Sequence, residues 1–198
     1  MKLLKSLFIT FLIFSLTAFK AGLPAAFTAL LDRAHIDFTL PGQYTEAPLT
    51  KNSQMNYDFA LKHPEKNFEI RYAIRPLDTL LAQYERREKN KHPGDVNITP
   101  NNIYRAAFMA TMMNIAGSRN IPGMNEFGND AVKKEFNADW GATSVCEPAG
   151  DFGKGYKYCI GVAIHKNNTA DYYCFYLTDN KADFSTLMQP VFYAMKFK

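Results

Sequence analysis

The stretch 56–75 constrains this chain more than any other, because its alternation suits an antiparallel hairpin on both faces at once. Tyr57, Phe59 and Leu61 alternate with Asn56, Asp58, Ala60 and Lys62. After the turn signal His63-Pro64-Glu65-Lys66-Asn67, Phe68, Ile70, Tyr72 and Ile74 alternate with Glu69, Arg71, Ala73 and Arg75. A period of two marks strands, and a Pro- and Asn-containing break marks the turn. Setting His63 opposite Phe68 places Leu61 on Ile70, Phe59 on Tyr72 and Tyr57 on Ile74. The same register brings Lys62 opposite Glu69 on the other face. Cross-strand pairs that agree on both faces specify register.

A second alternation runs over 155–178 and turns at Lys166-Asn167-Asn168-Thr169. Pairing His165 with Ala170 predicts one core face of Tyr158, Ile160, Val162, Ile164, Tyr173, Phe175 and Leu177. The other face then carries Cys159, Gly161, Ala163, His165, Tyr172, Cys174 and Tyr176. This register sets Cys174 opposite Gly161 and Cys159 opposite Tyr176, so the two thiols are diagonal and poorly placed for a disulfide. A one-residue change in the turn moves Cys159 to the opposite face.

Helical spacing fills the intervals. Thr99 is a cap residue with Pro100 at the first helical position, and the pattern Tyr104, Phe108, Met112, Ile115 runs to Gly117. Ala106, Ala107, Ala110 and Met113 make this segment apolar nearly all round, which predicts a well-buried helix. Residues 77–90 open apolar and end in the charged run Glu85–Lys89. Phe184, Leu187, Met188, Val191 and Met195 mark a last helical face, with Pro190 as a kink. A short helix at 130–137, a strand at 142–147 and a first strand near Ile36–Leu40 complete the pattern. Hairpins rather than βαβ units dominate, so the expected class is α+β, an antiparallel β-sheet with helices packed on it.

The chain opens with Lys2 and Lys5 before the apolar, Thr- and Ser-containing run Leu7–Ala18. That run has the length of a signal-peptide core and falls short of a membrane span. Residues 1–21 are read as a signal peptide cleaved near Ala18–Ala21, leaving a single domain over 22–198 without a membrane span and exported to a periplasm or the extracellular space. The formal net charge is +4. Lys2, Lys5 and Lys20 carry three of those charges, so the mature chain sits near +1, which removes the electrostatic case for nucleic acid.

Export permits disulfides, and the three cysteines are Cys146, Cys159 and Cys174. An odd count leaves one thiol unpaired, and a bridge would join Cys146 to either of the others. His35, His63, His92 and His165 show no metal-ligand spacing, and no metal or cofactor is implied. His165 is singled out because it is expected to share a sheet face with Cys159 and Cys174, yet several residues of ladder separate it from either thiol. Tyr172 and Tyr176, beside Gly161 and Ala163, offer either a stacking surface for a ligand or a face that helices cover. Asp151-Phe152-Gly153 lacks every companion motif of a kinase. The Gly-rich loop 117–130 is long enough to be functional or to be a simple connection.

The segment Asp37-Phe38-Thr39-Leu40-Pro41-Gly42-Gln43-Tyr44 precedes a meandering sheet. The chain closes with the strand Tyr172–Leu177 and the ending Ala194-Met195-Lys196-Phe197. This order resembles the α/β/α sandwich of the PsbP-like proteins, in which an early F-x-x-P strand start and a final amphipathic helix recur. The helical stretch 77–117 is longer than that resemblance implies. Members of that group act mostly as accessory or binding subunits, and no functional residue carries over. The expectation is an exported, non-enzymatic domain that binds an unknown protein or small ligand. The competing class is a hydrolase- or thiol-type enzyme whose site is assembled from distant residues.

Overall fold

The computed structural model describes residues 22–117 and 122–198. The segment read as a signal peptide lies outside the described residues. Helix α1 (Ala25–Arg33) leads into β1 (Ile36–Phe38), followed by β2 (Thr45–Glu46), β3 (Phe59–Lys62) and β4 (Phe68–Pro76). Next come α2 (Asp78–Lys89), a 3-10 turn at Pro100–Asn102 and α3 (Tyr104–Ala116). The remainder is β5 (Met124–Glu126), α4 (Asn129–Phe136), β6 (Trp140–Cys146), β7 (Tyr158–Lys166), β8 (Ala170–Thr178), helical turns over 184–191 and β9 (Met195–Phe197). Among the described residues no helix is long and apolar enough to cross a membrane.

One antiparallel sheet runs in the order β2-β3-β4-β8-β7-β6-β5, while β1 and β9 pair separately. Side chains alternate across a strand, so the sheet has two faces and each needs cover. The first face carries Phe59, Leu61, Ile70, Tyr72, Ile74, Val162, Ile164, Tyr172, Cys174 and Tyr176. It packs under Phe27 and Leu31 of α1, Val132 and Phe136 of α4, and Ile36, Met195 and Phe197 of the small sheet. The second face carries Ala60, Ala73, Trp140, Ala142, Cys159, Ala163, Tyr173, Phe175 and Leu177 under Phe108, Met112 and Ile115 of α3 and under Phe152. The class is α+β, with helices on both faces of an antiparallel sheet.

The β3–β4 pairing has the expected register, with Phe59 on Tyr72, Leu61 on Ile70 and Lys62 on Glu69. It stops one pair early. Asp58 Oδ2 accepts the Ile74 N–H at 2.7 Å and takes the place of a strand carbonyl, and Tyr57 turns into the opposite face of the sheet. Thr99 caps the turn before α3 by accepting from the Asn101 N–H, and Gly117 closes α3 in the left-handed conformation, φ 72°.

The β7–β8 register differs from expectation by one residue. Lys166 faces Ala170 and His165 faces Asp171, so the loop is Asn167–Thr169. Asn168 adopts φ 57°, a left-handed conformation that asparagine tolerates and that permits this tighter loop. The slip moves Tyr172, Cys174 and Tyr176 to the face of Ile160, Val162 and Ile164, while Tyr173, Phe175 and Leu177 join Cys159 and Ala163.

The C-terminus also departs from expectation. Instead of a helix through Met195, the chain makes short helical turns and ends in β9, whose Met195 and Phe197 are buried and whose Lys196 is exposed. Pro190 has no N–H to donate and cannot extend a regular helix. The Asn137 side-chain amide donates to the Lys198 carbonyl at 2.8 Å, anchoring the strand end. Within the Gly-rich stretch 117–130, residues 124–126 form the edge strand β5 against β6.

Candidate functional site

Tyr172 and Tyr176 do not form an open stacking surface: both are buried, because both faces of the sheet are covered. Tyr172 Oη donates to the Met195 carbonyl at 3.0 Å, so β9 and the small sheet sit directly above it. Burial pushes both phenols far above their ordinary range. Cys174 lies in the same layer, and burial pushes its thiol up to about 12. Neutral, packed side chains of this kind stabilise a core and present nothing to a ligand.

His165 is also buried, and it works within the hairpin. Its Nδ1 donates to Asp171 Oδ1 at 2.6 Å, and its Nε2 lies 3.1 Å from the side-chain amide of Asn167. Tyr104 of α3 stacks on the ring with centroids 4.0 Å apart. The register separates Cys174 from His165 across the sheet, and Cys159 sits six residues away along β7, about 20 Å at ~3.4 Å per residue. A Cys–His pair needs hydrogen-bond reach and is not formed.

The structure sets Cys146 directly opposite Cys159 across the β6–β7 pairing. All three thiols are free, with Cys146 half-buried and the other two buried. Cys174 points into the opposite core layer from Cys159, which rules out a bridge between those two.

Beside Cys159 on the same face lies a polar network that the alternation hid. Arg71 and Glu69 lie on the alternate face of the hairpin from its large apolar residues, yet both are buried. Arg71 Nε donates to Glu69 Oε1 at 2.6 Å, and Arg71 Nη1 donates to the Phe152 carbonyl at 2.6 Å. Tyr156 Oη donates to Glu69 Oε2 at 2.6 Å, and burial raises that phenol well above its ordinary range. The guanidinium also lies 4.6 Å from the Phe152 ring and 4.9 Å from the Tyr57 ring, within cation–π range. The segment 147–157 is therefore a roof that closes a charged pair away from water. Ala60 and Ala73 on the same face are a signal for this, since small residues there leave room for cover.

The surface feature that stands apart is α3. Its all-round apolar composition predicts burial, but only Phe108, Met112 and Ile115 are buried. Ala106 and Ala110 are exposed, Met109 and Met113 are partly buried, and Ile103 just before the helix is exposed. Arg105 is its sole charged residue and is already paired with Glu126, Nε to Oε1 at 2.8 Å. A helix with one face on a sheet ordinarily turns charged residues to water on the other.

No family model matches the sequence, and no curated protein matches it. The chain is similar to the solution structure of cyanobacterial PsbP (CyanoP) from Synechocystis sp. PCC 6803, at 13% identity and a TM-score of 0.44. The match covers 83% of this chain and 88% of that chain. At that identity the likeness concerns fold alone.

Proposed function

We propose that this chain is an exported, non-enzymatic accessory domain that binds a partner protein through the outer flank of α3. The observation that carries this reading is the uncharged run Ala106–Gly117, held on a rigid helix with Ala106, Met109, Ala110 and Met113 turned away from the sheet. Contiguous apolar surface rimmed by polar groups is characteristic of protein–protein contacts, and methionine adapts to the shape of an apposed surface. The one charged residue at its end is neutralised by Glu126, so the flank suits a partner that presents an apolar patch of its own. The leader-like segment 1–21 supports export, and the same segment makes the apparent basicity of the chain irrelevant to the mature domain.

A photo-crosslinking amino acid at Met109, with Lys134 on α4 as the control position, tests this in the native compartment. The expected result is one discrete heterologous adduct from position 109, absent from position 134 and lost on Ala110→Asp. No adduct, or an adduct of two copies of this chain only, overturns the reading.

A further inference from the structure

We infer that Cys146 and Cys159 form a redox-active dithiol that closes to a disulfide, clamping the base of the roof over the Arg71–Glu69 pair. The geometry comes from strand pairing: the two residues are direct partners at the last rung of β6–β7. Directly opposed residues on antiparallel strands have Cα separations of about 4.5–5.5 Å, inside the range a disulfide spans. Cys174 is held in the other core layer and cannot compete.

The segment between the two cysteines is the roof itself. Phe152 is fully buried, its carbonyl accepts from Arg71, and Tyr156 donates to Glu69. The Ala149 N–H donates to the Ile115 carbonyl of α3 at 2.7 Å, and the Lys157 N–H donates to the Thr178 carbonyl at 3.0 Å. A bond across its base removes the freedom of this segment to lift as a unit.

The chemistry assigns the two sulfurs different parts. Contact with Cys159 holds the Cys146 thiol below its ordinary range, while contact with Cys146 and then burial push the Cys159 thiol up. Cys146 is also the more accessible of the two. With a small-molecule disulfide such as oxidised glutathione, the Cys146 thiolate attacks one sulfur, forms a mixed disulfide and releases one glutathione thiolate. That thiolate takes the Cys159 proton, and the Cys159 sulfur attacks Cys146 Sγ and expels the second glutathione as thiolate. The protein dithiol is oxidised by two electrons, and the glutathione disulfide is reduced to two thiols once the second thiolate takes up the proton that Cys146 released to solvent.

The test uses the full chain, reduced, exposed to oxidised glutathione at neutral pH, alkylated and digested with trypsin. The expected product is peptide 135–154 joined to peptide 158–166, with Cys174 recovered as the alkylated thiol. Recovery of Cys146 and Cys159 as separate thiols or separate glutathione adducts overturns the inference, as does a bridge through Cys174. The companion measurement is limited trypsin cleavage after Lys154 and Lys157, expected to slow at least several-fold on oxidation in the parent chain and to be unchanged in Cys146→Ser. Equal cleavage of oxidised and reduced chain overturns the clamp. Neither measurement involves the α3 flank, so this inference and the partner-binding reading fail separately.

Discussion

Glu69 and Arg71 leave the same face of β4 two residues apart and meet as an ion pair, 2.6 Å from Nε to Oε1, beneath a roof supplied by residues eighty positions later in the chain. Both side chains are almost wholly out of water, at 3% exposure for Arg71 and 9% for Glu69. Arg71 also donates to the Phe152 carbonyl, and Glu69 also accepts from the Tyr156 hydroxyl. Removing one partner strands the other charge in a dry site, which costs about 3–5 kcal/mol. Arg71→Met and Glu69→Leu should each lower the urea midpoint markedly, while the double variant should recover much of the loss. A double variant as unstable as the sum of the singles would contradict this account.

Gly161 lets α3 approach the sheet. A Cβ at that position would meet Met112 Sδ at 2.4 Å and Phe108 Cε2 at 3.4 Å. Gly161→Ala should cost about 1–3 kcal/mol through overpacking. In a Met112→Ala background the same change should cost clearly less, because the clashing sulfur is gone. A denaturation double-mutant cycle reads the coupling, and strict additivity would show that α3 does not sit where the structure places it.

Hydroxyls in the first core layer divide by partner. Tyr172 donates to the Met195 carbonyl, so Tyr172→Phe leaves a buried carbonyl short of a donor and should cost about 1 kcal/mol. Tyr72 and Tyr176 have buried hydroxyls with no hydrogen-bond partner among the described residues. Tyr72→Phe and Tyr176→Phe should therefore be neutral or stabilising, since burying an unpaired hydroxyl is unfavourable. Thermal unfolding of the three variants side by side is sufficient.

Alkaline sensitivity follows from Cys174. Its thiol is raised from 9.0 to about 12 by burial. A raised folded-state value means the stabilising contribution is complete below pH 9 and is lost as pH climbs towards 12, because the unfolded chain sheds that proton first. The slope is about 1.4 kcal/mol per pH unit for one proton. Cys174→Ala should flatten the fall in unfolding free energy between pH 9 and pH 12. An unchanged slope would show that Cys174 ionises freely in the folded chain.

At the other end of the scale, the Arg33 guanidinium beside Asp78 holds that carboxyl down to about 2, from 3.8. Both side chains are about half exposed, so solvent screening leaves the pair worth little to stability. Its contribution is present above pH 4 and fades as pH falls towards 2. Carboxyl NMR should show the Asp78 titration moving back towards the ordinary carboxylate range in Arg33→Ala. An unmoved midpoint would show that the pair is absent in solution.

The α+β class, the register of β3 against β4, the Thr99 cap of the turn before α3, the Gly117 end of α3 and the odd thiol were legible in the sequence. These are local facts: period-two alternation, a Lys–Glu pair that agrees with the apolar pairs, and Thr, Pro and Gly at helix ends. The register of β7 against β8 was not legible, because both faces of those strands are buried and carry similar aromatic and small residues. With no polar face to penalise a slip, the left-handed Asn168 in the loop settled it. The same slip sent Cys174 to the opposite face from Cys159, while cover on both faces keeps Tyr172 and Tyr176 from any ligand. The partner of Cys146 and the burial of Arg71 depend on which strand lies beside β7 and on which distant segment roofs β4. Alternation reports the two sides of a strand, but not what covers them.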